Sequence, residues 1–169
     1  MTNWYVIYVN VRHEKKVTQK FLSDNIEAYS PTVKKLQQWS DRKKWVEFPM
    51  ITGYVFVKID LLEKEKVLFN PAVLGFIKFE GKEAVVKDNE IEILKSIALT
   101  GFDVTQEVGT FNLNDKVEIG QGHLKGLTGT VVQIQNEEYV QIELESLRQS
   151  IKVKVPKHIL KINKNVFYK

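Results

Sequence analysis

The side chains whose types and spacing suit a chemical role are cations and aromatic rings. Arg12, Lys16 and Lys20 recur every four residues, with His13 and Gln19 beside them. Residues four apart lie on the same face of a helix, so these side chains would form one basic stripe. Such a stripe suits contacts with nucleic-acid phosphates. A helix face that is basic only because it is solvated explains the same pattern equally well.

A second basic segment follows and contains two tryptophans. Lys34-Lys35 and Arg42-Lys43-Lys44 supply the charge, and Trp39 and Trp45 lie between and beside them. Cations that contact phosphates next to rings that stack on bases are typical of nucleic-acid binding. The alternative is the solvated tip of a surface hairpin.

Two segments with strong strand character, 4–9 and 53–59, are apolar on both faces. Alternation along a strand places Tyr8 of the first segment, and Tyr54 and Phe56 of the second, opposite rows of core residues. Packing inside the protein would hide any one of these rings. Several of them close together favour an exposed recognition patch on the open face of a sheet.

No pattern of catalytic residues is present. The sequence has no cysteine, which excludes disulfides, thiolate zinc sites, iron–sulfur clusters and cysteine nucleophiles. His13, His123 and His158 are scattered, and no glycine-rich segment has dinucleotide or nucleoside-triphosphate spacing. We therefore expect a protein that is not an enzyme, with no catalytic residue, no metal and no cofactor.

The elements that position these residues predict an α+β chain. Its 169 residues allow one or two domains. Strand-like and helical segments alternate up to residue 100, with helices expected over 13–25 and from a capping box formed by Asn89 and Glu92. Between 116 and 155 the helical pattern disappears, and four short alternating segments predict a small antiparallel β-barrel. The predicted organisation is a domain over 1–100, a linker over 101–111 and a barrel domain over 112–163.

Charge and hydropathy indicate what kind of partner the protein binds and whether it enters a membrane. The net charge of +4 favours an acidic partner without requiring one. No apolar run approaches the ~18 residues that span a bilayer. We expect a soluble, cytoplasmic monomer that does not bind membranes.

The order of several motifs resembles the N-terminal domain of NusG-type transcription elongation factors. These motifs are Trp4-Tyr5-x-x-Tyr8, Ile26-x-Ala28-Tyr29-x-Pro31, Pro49-x-x-x-Gly53-Tyr54-Val55-Phe56-Val57 and Phe76-x-x-Phe79. The C-terminal part is similar to a KOW motif, a glycine-spaced β turn. Its residues are Asp115-x-Val117-x-Ile119 and Gly122-x-Leu124-x-Gly126-x-x-Gly129-x-Val131. Together the motifs cover nearly the whole chain.

The resemblance implies a fold, partners and site residues. The fold would be a ferredoxin- or RRM-like N-terminal domain, an antiparallel sheet with helices, followed by a small all-β KOW barrel. Family members set an apolar patch on the clamp helices of the largest subunit of RNA polymerase and suppress pausing or termination. The residues implied for this patch are Tyr8, Pro49, Tyr54, Phe56, Phe76 and Phe79. Those implied for the non-template DNA strand are Arg12, His13, Lys16, Gln19 and Lys20. In the KOW domain, Leu124 and Leu127 would contact a small-subunit ribosomal protein or Rho.

The stretch from Trp39 to Trp45 and the compact N-terminal domain resemble operon-specific paralogues, including those of surface-polysaccharide loci, more than the general NusG factor. The general factor remains one alternative. Another is an RNA-binding protein, because 52–59 approaches the pattern by which RNA-recognition motifs present stacking aromatics. Thr52, Val55 and Ile59 depart from that pattern at the basic, small and final aromatic positions.

Overall fold

The structure is a computed structural model that describes residues 1–100, 104–107, 116–134, 137–155 and 160–162. The chain forms two compact units, Met1–Ile91 and Glu92–Lys169. Each unit is described by itself.

The first unit is an antiparallel sheet with helices and two hairpins. Its strands and helices are β1 Thr2–Val9, α1 Glu14–Ser23, β2 Glu27–Tyr29, β3 Thr32–Gln38, β4 Lys43–Pro49, β5 Tyr54–Asp60, α2 Lys64–Leu68, β6 Val73–Phe76, β7 Lys78–Phe79, β8 Lys82–Glu83 and β9 Val85–Val86. The main sheet has the order β2-β5-β1-β6, and β9 also pairs with β1. The strands β3 and β4 form a separate two-stranded sheet, as do β7 and β8.

One face of the main sheet carries the core. Tyr5, Ile7 and Val9 of β1 and the aliphatic row of β5 pack with Val17 and Phe21 of α1. The two α1 residues are spaced four apart, so they lie on one helix face, and each is about 2% exposed. Burial of a side chain the size of Phe21 contributes about 1.5–3 kcal/mol to folding. The alternation predicted for 4–9 and 53–59 is confirmed, because the core rows are the odd-numbered residues of both strands.

Helix α3 spans Asp88–Thr100 and crosses the boundary between the units. The predicted capping box at Asn89 and Glu92 is wrong. The helix begins at Asp88, so Asn89 lies inside the first turn instead of capping it. The carboxylate of Glu90 accepts a hydrogen bond from the backbone N–H of Lys87 at 3.3 Å. Glu90 is buried and Glu92 is exposed. The acidic side chain that caps the start of α3 is therefore the buried Glu90, not Glu92.

The described part of the second unit beyond α3 is an antiparallel sheet. Its strands are β10 Val104–Glu107, β11 Lys116–Ile119, β12 Thr128–Ile134, β13 Glu137–Leu144, β14 Gln149–Val153 and β15 Leu160–Ile162. Their order is β10-β14-β13-β12-β11-β15. The α+β class with antiparallel sheets is thus confirmed. A closed barrel is not confirmed, because among the described strands β10 and β15 are the open edges of the sheet.

The segment predicted as a linker contains a strand. Val104 pairs with Val153, and Glu107 pairs with Ser150, so β10 adds an edge to β14. The pairing gives the four residues of β10 backbone hydrogen bonds with β14, which no local sequence pattern predicted. The remainder of the 101–111 segment lies outside the described residues.

Candidate functional site

Tyr8 and Tyr54 form an aromatic pair on the face of the main sheet opposite the α1 core. They are directly opposite each other in the β1–β5 register. Their ring centroids are 5.9 Å apart in an edge-to-face arrangement. Tyr8 is 40% exposed and Tyr54 is half-buried. The pair therefore presents apolar ring surface that a partner could cover.

Gly53 lies against the ring of Tyr8 and leaves the space that the ring occupies. Its φ of +79° lies in the left-handed region that favours glycine. A Cβ at this position would lie 2.6 Å from Cε2 of Tyr8, so only a glycine allows the ring to lie here. The N–H of Gly53 donates to Oε1 of Glu14 at 2.7 Å, and Glu14 is buried. A buried carboxylate at the start of α1 thus anchors the turn that supports the ring.

The rest of this face is largely closed. Trp4, Val6 and Phe56 are buried, and Phe56 is 0% exposed. Nζ of Lys58 lies 5.6 Å from the centroid of the Trp4 ring and covers it with a cation–π contact. The expectation that Phe56 belongs to the exposed patch is corrected accordingly, because its ring has no free surface.

Phe76 lies on the opposite face of the sheet from Tyr8. It pairs with Ile7 in the register of β1 and β6, and its ring meets Tyr5 edge-to-face at 6.1 Å. It packs against the α1 core, which corrects its assignment to the patch. Pro49 and Phe79 are both half-buried. Pro49 is the last residue of β4 and Phe79 the last of β7, so both lie in the two hairpins, outside the main sheet that carries Tyr8.

A groove of about 660 Å³ runs between α1 and the segment that joins α2 to β6. His13, Lys16 and Lys20 line one wall. Lys16 and Lys20 lie on one face of α1, but Arg12, the third residue of the predicted stripe, precedes the helix in a turn with a φ of +71°. Lys66 and Phe69 line the other wall. No sequence pattern had predicted a role for Lys66 or Phe69. Phe69 is 91% exposed, and an aromatic residue directly before Asn70-Pro71, where α2 must end, was the signal available.

The cations of the groove differ in how far their charge is neutralised. Lys20 forms an ion pair with Asp24 one turn further along α1, and Lys66 pairs with Glu63. Lys16 is exposed and forms no ion pair with any residue that the structure describes. Arg12 and Gln19 are exposed but do not line the groove. The structure therefore brings together three of the five predicted DNA-contact residues.

The hairpin of β3 and β4 is tied to the exposed side of α1. Nζ of Lys15 donates to Oε2 of Glu47 at 3.0 Å. This hydrogen bond and the charge of Lys15 lower the pKa of Glu47 below its ordinary value. Both side chains are exposed, so the pair orients the hairpin more than it stabilises the fold.

The turn that resembles a KOW motif buries one of its two predicted contact residues. Leu124 is 1% exposed, which corrects its assignment as a partner contact, and Leu127 is half-buried. Gly126 N–H donates to the carbonyl of Ile119 at 2.7 Å and closes the turn. At Gly129 a Cβ would lie 2.5 Å from Cγ1 of Val140, so the close approach of β12 and β13 requires glycine there.

The described ranges contain no group of three or more acidic or histidine side chains that could hold a metal ion. In the same ranges, no helix is both long enough and apolar enough to cross a membrane.

The fold is a mixed α+β unit followed by a small antiparallel β unit. The solved structure described as "Domain interaction in Thermotoga maritima NusG" is similar over 96% of this chain and 97% of that chain. Its TM-score is 0.58 and its sequence identity is 23%, which is a likeness of fold. The MjSpt4:Spt5 complex matches in conformations A and B at 20% and 21% identity. These matches cover 95% and 94% of this chain, and 97% and 95% of those chains, with TM-scores of 0.33.

The family model described as "Transcription termination factor nusG" matches residues 2–95, more than half of the sequence. The chain belongs to the NusG family. This is a family of transcription factors that are not enzymes and that work with RNA polymerase. No curated protein matches the sequence significantly.

Proposed function

We propose that this protein is a transcription elongation and antitermination factor dedicated to particular operons. Its first unit binds the clamp helices of the largest RNA polymerase subunit through Tyr8 and Tyr54. The observation that carries the proposal is the half-exposed aromatic pair, which is held by Gly53 on a sheet face that is otherwise closed. A helical hairpin that docks on this face would bury the two exposed rings. Buried aromatic anchors at the centre of an interface carry much of its binding energy.

The structure reduces the set of residues that the proposal needs. Phe56 and Phe76 drop out as direct contacts, because the first is buried and the second lies on the core face. Pro49 and Phe79 stay as peripheral candidates. The RNA-recognition alternative loses support for the same reason, since stacking of bases on the sheet would need the ring of Phe56 to be accessible.

The second part of the proposal is contact with the non-template DNA strand in the groove beside α1. Lys16 and Lys20 can neutralise phosphates, and Phe69 on the opposite wall offers a ring to an unpaired base. A half-exposed Leu127 in the KOW-like turn could then meet a small-subunit ribosomal protein or Rho. The second unit, as a KOW module, would link transcription to that partner.

An elongation assay tests the proposed function. Purified RNA polymerase is followed across the pause sites of the organism's own operons, with and without the full chain. We expect shorter dwell times at pauses when the protein is present, because a factor bound to the clamp holds the polymerase in its elongating state. Unchanged dwell times at every site would contradict the proposal.

Substitution of the groove cations should weaken recruitment in a salt-dependent way. For Lys16→Ala with Lys20→Ala, we expect lower recruitment to a paused complex. The slope of log affinity against log salt should fall by about 1.4, since each lost phosphate contact on a single strand removes about 0.7. Measurement between about 50 and 200 mM salt gives both quantities.

The matched control for this pair is Lys82→Ala with Lys87→Ala, two exposed lysines outside the groove. It should leave the slope unchanged. Phe69→Ala tests the other wall: loss of one stacked base costs about 1–3 kcal/mol and leaves the slope nearly constant. If the groove double variant has the parent's recruitment and slope, the groove does not bind the strand.

A further inference from the structure

The hairpin of β3 and β4 exposes large apolar side chains that the proposed function does not use. Leu36 is paired with Trp45 in the register of the hairpin. These side chains are 49% and 65% exposed, and Trp39 at the turn is 54% exposed. Rings with more than half of their surface in water contribute little to a core. Contact with a partner is the role that accounts for them.

Hydrogen bonds fix the backbone of the hairpin that carries these side chains. The N–H of Trp39 donates to the carbonyl of Arg42 at 2.8 Å and closes the turn. Nε2 of Gln38 donates to the carbonyl of Trp39, also at 2.8 Å. At the other end, the Lys15–Glu47 ion pair ties β4 to α1. A partner would therefore meet a backbone that is already ordered, which lowers the entropy cost of binding.

The charge of the hairpin is strongly positive. Residues 32–49 contain five lysines and arginines and two acidic residues, so they hold 5 − 2 = +3 of the chain's net +4. Lys43 and Lys44 directly precede Trp45, and both are exposed without an ion pair to any residue within the described ranges. Asp41 lies 3.9 Å from Arg42 and neutralises part of the tip. The combination of free ammonium groups with exposed indoles is complementary to a polyanion that has aromatic bases.

We propose that this hairpin binds single-stranded RNA, at a surface separate from the groove assigned to DNA. Unpaired bases stack on Trp39 and Trp45, while Lys43 and Lys44 contact the adjacent phosphates. Stacking needs bases that are free of a duplex, which selects a single strand. The exposed hydroxyl group of Ser40, next to Trp39 in the turn, can hydrogen-bond to a 2′-hydroxyl group, which favours ribose over deoxyribose. The exposed apolar surface of the hairpin consists of Leu36, Trp39 and Trp45, which is small for a protein interface.

The test uses the full chain and a fluorescein-labelled RNA of mixed sequence, about 12 nucleotides long, which is within the usual range of single-strand sites. Fluorescence anisotropy gives the affinity. Trp39→Ala and Trp45→Ala should each weaken binding about 5- to 140-fold, the range that corresponds to loss of one stacked base. Leu62→Ala is the control: it removes a 92% exposed apolar side chain outside both the hairpin and the groove and should leave the affinity unchanged.

Two further measurements identify the ligand. Lys43→Ala with Lys44→Ala should lower the salt slope for RNA by about 1.4. Single-stranded DNA of the same sequence should bind the parent chain several-fold more weakly than RNA. The inference is overturned if the tryptophan variants bind RNA like the parent, or if DNA binds as well as RNA. It is also overturned if those variants lose binding to RNA polymerase instead, because the hairpin would then be a protein-binding surface.

Discussion

Tyr8→Ala combined with Tyr54→Ala is expected to abolish most binding to the clamp helices of RNA polymerase. The two rings contact each other at 5.9 Å, and in the proposal they are the anchors that the helical hairpin covers. Aromatic anchors of this kind typically contribute about 2–4 kcal/mol, a loss of roughly 30- to 700-fold in affinity. Titration of the purified clamp-helix fragment with the full chain measures the change directly.

Leu62→Ala provides the matched control for this loss, because it removes an exposed apolar side chain away from the pair. It should bind the clamp helices like the parent. Tyr8→Phe keeps the ring and should retain most of the affinity. Binding of free single-stranded RNA by the double tyrosine variant separates two interpretations: we expect no change, whereas stacking of bases on the sheet would predict a large loss. Parental affinity for the clamp helices in that variant would refute the assignment of the pair.

Gly53→Ala should reduce both stability and polymerase binding, although glycine 53 contacts no partner in the proposal. Its φ of +79° costs a residue with a side chain about 1–2 kcal/mol, and the new Cβ would lie 2.6 Å from Cε2 of Tyr8. The ring must move, which breaks its edge-to-face contact with Tyr54. Urea unfolding and clamp-helix titration measure the two effects on one sample.

Gly81→Ala separates the backbone cost from the displacement of the ring. Gly81 has a nearly identical φ of +80°, but nothing lies within 4 Å of its Cβ position. This variant should lose a similar amount of stability and keep full affinity for the clamp helices. If Gly53→Ala loses no more affinity than Gly81→Ala, the position of the Tyr8 ring does not matter for binding.

Local patterns predicted the elements of the first unit well, because they depend on short-range periodicity. The two-residue alternation of 4–9 and 53–59 identified both central strands and the correct core face of each. The four-residue spacing of Val17 and Phe21 identified the buried side of α1, and the spacing of Lys16 and Lys20 identified its exposed side. In each case the face is set by backbone geometry alone.

The same patterns failed where a neighbour distant in sequence decides the outcome. Phe56 and Tyr54 share a face, yet one ring is sealed and the other is half-exposed. Phe76 falls on the core side because β6 pairs with β1 in the register that places it opposite Ile7. The strand β10 exists because β14 offers it an edge. Phe69 and Lys66 belong to the groove only because the segment after α2 folds back along α1.

By itself, the sequence determined which residues are apolar, charged or aromatic, which of them share a face of a strand or helix, and which family the motifs resemble. Only the tertiary structure decided which aromatic rings remain accessible and which cations share a groove. The reason is that exposure is a property of packing between segments far apart in the chain. Val6 and Phe56 pair across β1 and β5 although they are 50 positions apart in the chain, and no local pattern of either strand records whether another element covers them.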